Sequence, residues 1–230
     1  MFTFKNLTMK SLTKINILIG ILFIVLSGKA NAQSSSDSSA TTTEYNNIGE
    51  ALKNPNNVYR LNLSNQNLNT LPDSIWAKFG NLEYLSLKND HLTVIPSEIG
   101  SLKNLKILDL SNNDFKVLPQ SFSGLENLRE IYLNDEKEMD INQSLQTIKD
   151  LPNLKILHLE NDNLKSIPQS LLQFAQLETL YINNNSFNEI PMELKKLKNL
   201  KYIDFHDNQF KLDNKEFELK YHGSGILLNF

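Results

Sequence analysis

Residues 105–127 read LKILDLSNNDFKVLPQSFSGLEN, and their outline returns from Leu82, from Leu154 and from Leu177. The apolar positions of this unit are Leu105, Leu108, Leu110, Phe115, Leu118, Phe122 and Leu125. A repeat of 20–50 residues is the mark of a solenoid, because one such unit cannot enclose a core and must share it with its neighbours. Further starts at Val58, Leu128 and Leu200 bring the number of coils to seven, over 58–212, with the last incomplete.

Each coil opens on a short alternation such as Leu105-Lys106-Ile107-Leu108-Asp109-Leu110, the period of a strand. Leu108 and Leu110 then face inward, and Ile107, Asp109 and Ser111 face out. A Leu/Ile-Pro step follows, at Pro72, Pro96, Pro119, Pro168 and Pro191. Proline has no amide to give a sheet, so it belongs at the bend where the chain leaves the strand. The apolar residues beyond it, such as Ile99 and Leu102, have helical or 3₁₀ spacing. Strands stack at about 4.8 Å while the opposite side is bulkier, so the stack curves with the strands on its inner face.

These residues carry a family resemblance. The pattern LxxLxLxxNxLxxLPxxIxxLxxN, seen over about 58–210, resembles the leucine-rich repeat family in its 23-residue subclass. The resemblance implies an α/β fold: a right-handed curved solenoid, with parallel strands on the concave face and short helices, 3₁₀ turns or extended segments on the convex face. The repeats also point to a protein- or peptide-binding role, and with no catalytic constellation in the sequence no enzymatic activity is expected. The family's asparagine falls on Gln66, Asp90, Asn113, Glu136, Asp162, Asn185 and Asn208. An asparagine amide both donates and accepts, whereas an ionised Asp only accepts. The side-chain ladder is therefore expected to weaken at Asp90 and Asp162.

The ends depart from the repeat. Residues 1–32 have basic Lys5, Lys10 and Lys14, the apolar run INILIGILFIVL over 15–26, and then Ala30-Asn31-Ala32. That order is a secretory signal peptide, with Gln33 as the new N-terminus. A run of 12 residues is short of the roughly 20 a membrane span needs. An exported protein in the periplasm, at the cell surface or secreted is expected, with no stable membrane span after cleavage. Residues 33–44, QSSSDSSATTTE, read as a flexible linker. Residues 45–57 read as an N-terminal cap. In it 45–53 form a short helix with Ile48, Ala51 and Leu52 on one face, stopped by Pro55. Residues 213–230 read as a hairpin-like C-terminal cap. The fourth coil, 128–153, is 26 residues long and lacks the Leu-Pro step; within it 144–151 fit a convex helix.

Chemistry is sparse. There is no Cys among the 230 residues, which excludes thiol catalysis. Animal secreted members of the family it resembles usually seal their ends with cysteines, so the resemblance together with their absence implies a bacterial source. Gly-rich phosphate loops are absent. His158 and His206 fall on outward positions two coils apart, about 10 Å along the stack, too far to share an ion; both are expected to be exposed, and no metal or cofactor is expected. Without its first 32 residues the chain would hold 19 basic against 26 acidic residues, and no basic stripe points to nucleic acid.

The informative signal is the pair of outward columns. One runs Asn62, Ser86, Asp109, Tyr132, His158, Tyr181, Asp204; the other runs Arg60, Tyr84, Ile107, Glu130, Ile156, Thr179, Tyr202. A tyrosine-rich centre with a polar rim resembles a protein-binding hot spot. The expected contact residues are Tyr84, Asp109, Glu130, Tyr132, Ile156, His158, Glu160, Tyr181, Tyr202 and Asp204. The expected partner is a protein or peptide with basic and apolar groups, bound by a monomer. The alternative is an envelope or adhesion component that binds polysaccharide or acts structurally.

Overall fold

The structure is a computed structural model and describes residues 43–210 and 222–230. The signal peptide and nearly all of the linker expected from the sequence lie outside the described residues.

Among the described residues nine parallel strands form one open sheet in chain order. They are β1 (Glu44–Tyr45), β2 (Arg60–Asn62), β3 (Tyr84–Ser86), β4 (Ile107–Asp109), β5 (Glu130–Tyr132), β6 (Ile156–His158), β7 (Thr179–Tyr181), β8 (Tyr202–Asp204) and β9 (Leu227–Asn229). The register joins Leu61, Leu85, Leu108, Ile131, Leu157, Leu180 and Ile203 in one inward row, every member 0% exposed. The row at Leu63, Leu87, Leu110, Leu133, Leu159, Ile182 and Phe205 is equally dry. Each such side chain contributes about 1.5–3 kcal/mol on burial, and in every coil that burial depends on the coil above and the coil below.

The turn chemistry explains the other half of each coil. Pro72, Pro96, Pro119, Pro168 and Pro191 each stand immediately before a 3₁₀ turn, with φ between −75° and −56°. The turns are Asp73–Lys78, Ser97–Ser101, Gln120–Gly124, Gln169–Gln173 and Met192–Lys196. Each turns one large residue inward: Trp76, Ile99, Phe122, Leu171 and Leu194. The fourth coil instead carries a true helix, α2 (Ile141–Ile148), in which Leu145 and Ile148 are buried. Its three extra residues allow a full turn more, and Asp140 caps it by accepting from the Gln143 N–H at 2.9 Å. The helix begins three residues before the expected start.

Asparagine and aspartate hold the coils in three further ways. Asn65, Asn89, Asn112, Asp135, Asn161, Asn184 and Asp207 share one loop position and a left-handed φ of 53–63°, a conformation these short polar residues tolerate best after glycine. The Asn112 amide donates to Asn89 Oδ1 at 2.6 Å, and Asn89 donates to Asn65 Oδ1 at 2.7 Å. The asparagine closing each motif bonds the previous coil: Asn81, Asn104, Asn127, Asn153 and Asn199 donate to the carbonyls of Asn56, Gly80, Lys103, Glu126 and Ala175 at 2.7–2.8 Å. The buried ladder is the third. Asn113 accepts from the N–H of Asp90 and Leu92 and donates to the carbonyls of Leu87 and Leu110. Asn185 does the same toward Asp162, Leu164, Leu159 and Ile182.

The N-terminal cap differs from expectation. The helix predicted over 45–53 is only α1 (Ile48–Ala51), capped by Asn47 accepting from the Glu50 N–H. Glu44 and Tyr45, placed by sequence in the linker and the helix, form β1 and pair with Arg60 and Leu61. The open edge of β2 takes up their backbone, and Tyr45 packs on the core. At the other end 227–229 form β9. Leu227, Leu228 and Asn229 add to the sheet in parallel with Tyr202, Ile203 and Asp204, because the exposed β8 edge offers an unpaired ladder. The expected partner arm at 217–221 lies outside the described residues.

Candidate functional site on the concave sheet

Parallel, in-register strands place equivalent side chains about 4.8 Å apart, close to the contact distance of stacked rings. Consecutive planar residues in one column therefore stack. The register runs Asp109, Tyr132, His158, Tyr181, Asp204. The His158 ring lies 3.8 Å from Tyr132 and 4.4 Å from Tyr181, with interplanar angles of 15° and 9°. Tyr202, from the neighbouring column, tilts against Tyr181 at 5.8 Å.

This stacking corrects the expectation of an exposed histidine: His158 is only 7% exposed. Its two ring nitrogens face two carboxylates, Nε2 to Glu130 Oε1 at 3.1 Å and Nδ1 to Glu160 Oε1 at 3.2 Å. With a carboxyl oxygen facing each ring nitrogen, the form of the ring that donates to both is the imidazolium. Burial alone would lower the pKa of His158, but the hydrogen bonds and charges of Glu130 and Glu160 outweigh it and raise it. Burial pushes Glu130 up, and the bonds from His158 and the Tyr132 hydroxyl, the latter at 2.6 Å, bring it below its usual value. Burial and nearby carboxylates raise Tyr84, Tyr132, Tyr181 and Tyr202, so all four remain neutral phenols.

The remaining expected residues divide. Ile156 lies half-buried between Glu130 and Thr179 in register. Asp109 neighbours Tyr132 and accepts from the Ser111 N–H at 3.0 Å. Tyr84 stands apart from the stack, with the Arg60 guanidinium 4.0 Å above its ring. Asp204, expected to be open, is 7% exposed: it accepts from the His206 N–H, His206 Nδ1, the Tyr202 hydroxyl and Asn229 Nδ2. It ties β9 to the sheet instead of facing solvent. Arg60 of the outward column is held by Glu44 of β1 at 2.9 Å, a contact for which the repeat has no signal.

The strand entries carry Lys106, Arg129, Lys155 and Lys201, a column the repeat register assembles. Glu83 pairs with Lys106 at 2.7 Å, and Glu178 sits between Lys155 at 2.7 Å and Lys201 at 2.5 Å. Three of the four cations are thus matched by acids. Among the described residues no group of three or more His, Asp and Glu is arranged to hold a metal ion, and no helix is long and apolar enough to cross a membrane.

A family model for leucine-rich repeats matches residues 56–114 and 80–137, and a second matches 176–197. Residues 56–137 and 176–197 are leucine-rich repeats, the family whose pattern the sequence resembles. Solved leucine-rich repeat structures superpose on it. A protein of Leptospira interrogans is 29% identical, with a TM-score of 0.58 over 81% of this chain and 53% of that one. The TLR13–ssRNA13 complex gives 26% identity and a TM-score of 0.63 over 80% of this chain and 26% of that one. Internalin C2 of Listeria monocytogenes, 22% identical with a TM-score of 0.52 over 76% and 71%, shares the fold. This leucine-rich repeat chain therefore spans about half of the Leptospira protein and a quarter of the TLR13 chain. A search of curated proteins gives no match.

Proposed function

We propose that this leucine-rich repeat chain is an exported, non-enzymatic recognition module that binds a protein or peptide on its concave face. The observation that carries this reading is the ring stack Tyr132–His158–Tyr181, half-exposed at its tyrosines and bordered by carboxylates. Tyrosines held by stacking lose little side-chain freedom on binding, which is what makes such residues effective anchors. Their neighbours Asp109 and Glu130 suit a partner with lysine or arginine beside an apolar group. The RNA in the TLR13 complex has no obvious counterpart here, because a phosphate backbone laid over these tyrosines would meet carboxylates.

The test uses the full chain against immobilised peptides of matched length, basic-apolar, acidic or neutral. Basic-apolar peptides should be captured, and capture should fall with added salt. Changing Tyr132→Ala and Tyr181→Ala together should lower it at least about thirtyfold, the effect of losing one hot spot. Equal capture by the parent and double variant would refute the patch. Retention on a glycan array with no peptide capture would instead support the polysaccharide-binding alternative.

A further inference from the structure

The buried ladder contains a chemical irregularity with a shared geometry. At Asn113, Asn185 and Asn208 the amide oxygen accepts backbone N–H groups, and the amide nitrogen donates to carbonyls of its own coil and the one before. At Asp90, Glu136 and Asp162 the accepting half survives: Oδ1 of Asp90 takes the Gln66 N–H at 2.7 Å, Oε1 of Glu136 the Asn113 N–H at 3.1 Å, and Oδ1 of Asp162 the Glu136 N–H at 2.8 Å. The second oxygen of each, where the amide nitrogen would be, is buried and accepts nothing. The side chains are 0%, 2% and 8% exposed. By register these three acids take the ladder position at which an asparagine amide donates to strand-end carbonyls, as Asn113 does to Leu87 and Leu110, and a carbonyl offers no proton to a carboxylate.

We propose that Asp90, Glu136 and Asp162 occupy the ladder as neutral carboxylic acids, each hydroxyl donating to carbonyls that an asparagine amide serves in the other coils. A protonated carboxyl has one donor and one acceptor oxygen, the same pair of functions as the amide. Ionisation would set a buried charge against carbonyl oxygens, at a cost well above that of a lost hydrogen bond. The surroundings agree. Burial raises Glu136 to about 9 against its bond from Asn113, and Asp162, Asp114 and Asp135 add to the rise. Burial raises Asp162 to about 8 against the N–H groups of Glu136 and Asp135, with Asp135 and Glu160 adding to it. Burial also raises Asp90, partly offset by the N–H groups of Gln66, Asn67 and Leu68 and by His91. The junctions between these coils are therefore proton-dependent, and the stack loosens in alkali.

A group whose pKa is raised on folding lends its full stability below its unfolded value, near 4 for these acids, and loses it as pH climbs to the folded value. The window is therefore about pH 4 to 8 for Asp162 and 4 to 9 for Glu136. In it each acid weakens the folding equilibrium by up to about tenfold per pH unit. The experiment follows urea unfolding of the full chain from pH 5 to pH 9.5, beside the triple variant Asp90→Asn, Glu136→Gln, Asp162→Asn. His158 is common to both chains, so the difference between them isolates the ladder. The triple variant should gain on the parent steadily with pH. The reciprocal Asn185→Asp should add a fresh decline. An infrared protonated-carboxyl band in the parent should vanish between pH 6 and pH 10, which reports on the acids even if a variant does not fold. A pH-independent difference between parent and triple variant, or no such band, would overturn the proposal.

Discussion

The His158 imidazolium and its two glutamates are a buried charge network whose sign of pH response follows from its geometry. His158 is protonated more readily in the folded chain than in the unfolded one. Its contribution is therefore complete below the unfolded value of about 6.5 and is lost as pH rises through the raised folded value. An NMR titration of the ring should place that midpoint above 6.5; one at or below it would mean the imidazole is neutral between its glutamates. Changing His158→Ala strands Glu130 and Glu160 without their cation. It should cost roughly 3 kcal/mol, as breaking a buried pair does, measured by urea unfolding at pH 6.5. The alternating pattern places His158 in the outward column correctly. Its burial is not legible there, because it depends on rings supplied from 26 residues before and 23 after.

Among the elements, the 3₁₀ turns show how closely coils approach on the convex side. A Cβ on Gly100 would lie 2.4 Å from the Ser121 carbonyl oxygen of the next turn. That is backbone, and it cannot swing away as a side chain would. Gly100→Ala should therefore destabilise by about 1–3 kcal/mol, read as a lower urea midpoint, whereas Gly80→Ala, with open space around it, should have little packing cost. Helix α2 offers a separate check: Asp140→Ala removes the cap on Gln143 and should cost about 1 kcal/mol. The proline bends and the helix of the long coil were legible in the sequence, since proline sets its own φ and three extra residues need a place. The shortness of α1 was not. Its limits depend on the Asn47 cap and on pairing of Glu44 and Tyr45 with a strand whose edge is invisible in local pattern.

At the scale of the whole molecule, stability is a sum over neighbouring coils, so damage at one end should spread inward only as far as coupling carries it. Phe230 stacks on Phe205 at 5.8 Å, and Asn229 holds Asp204. Deleting residues 226–230 uncovers Ile203 and Phe205 while leaving Leu61 and Leu85 untouched. Hydrogen exchange should then speed up in β8 and β7, with β2 to β4 keeping their protection. Uniform loss along the sheet would mean that the coils unfold as one unit, against a nearest-neighbour account.

Periodicity alone determined which side chains face inward, the order and direction of β2 to β8, and the outward columns. The reason is that every coil meets nearly the same surroundings as the last, so a local pattern carries global information. The tertiary structure decided what breaks that equivalence. It added β1 and β9 to open edges, closed Asp204 around β9, and set His158 between two rings and two carboxylates. It also buried the second oxygens of Asp90, Glu136 and Asp162, acids the repeat had already placed at the ladder position, without a partner. Each of these depends on which unlike residues the stacking brings within a few ångströms, and no single repeat contains that information.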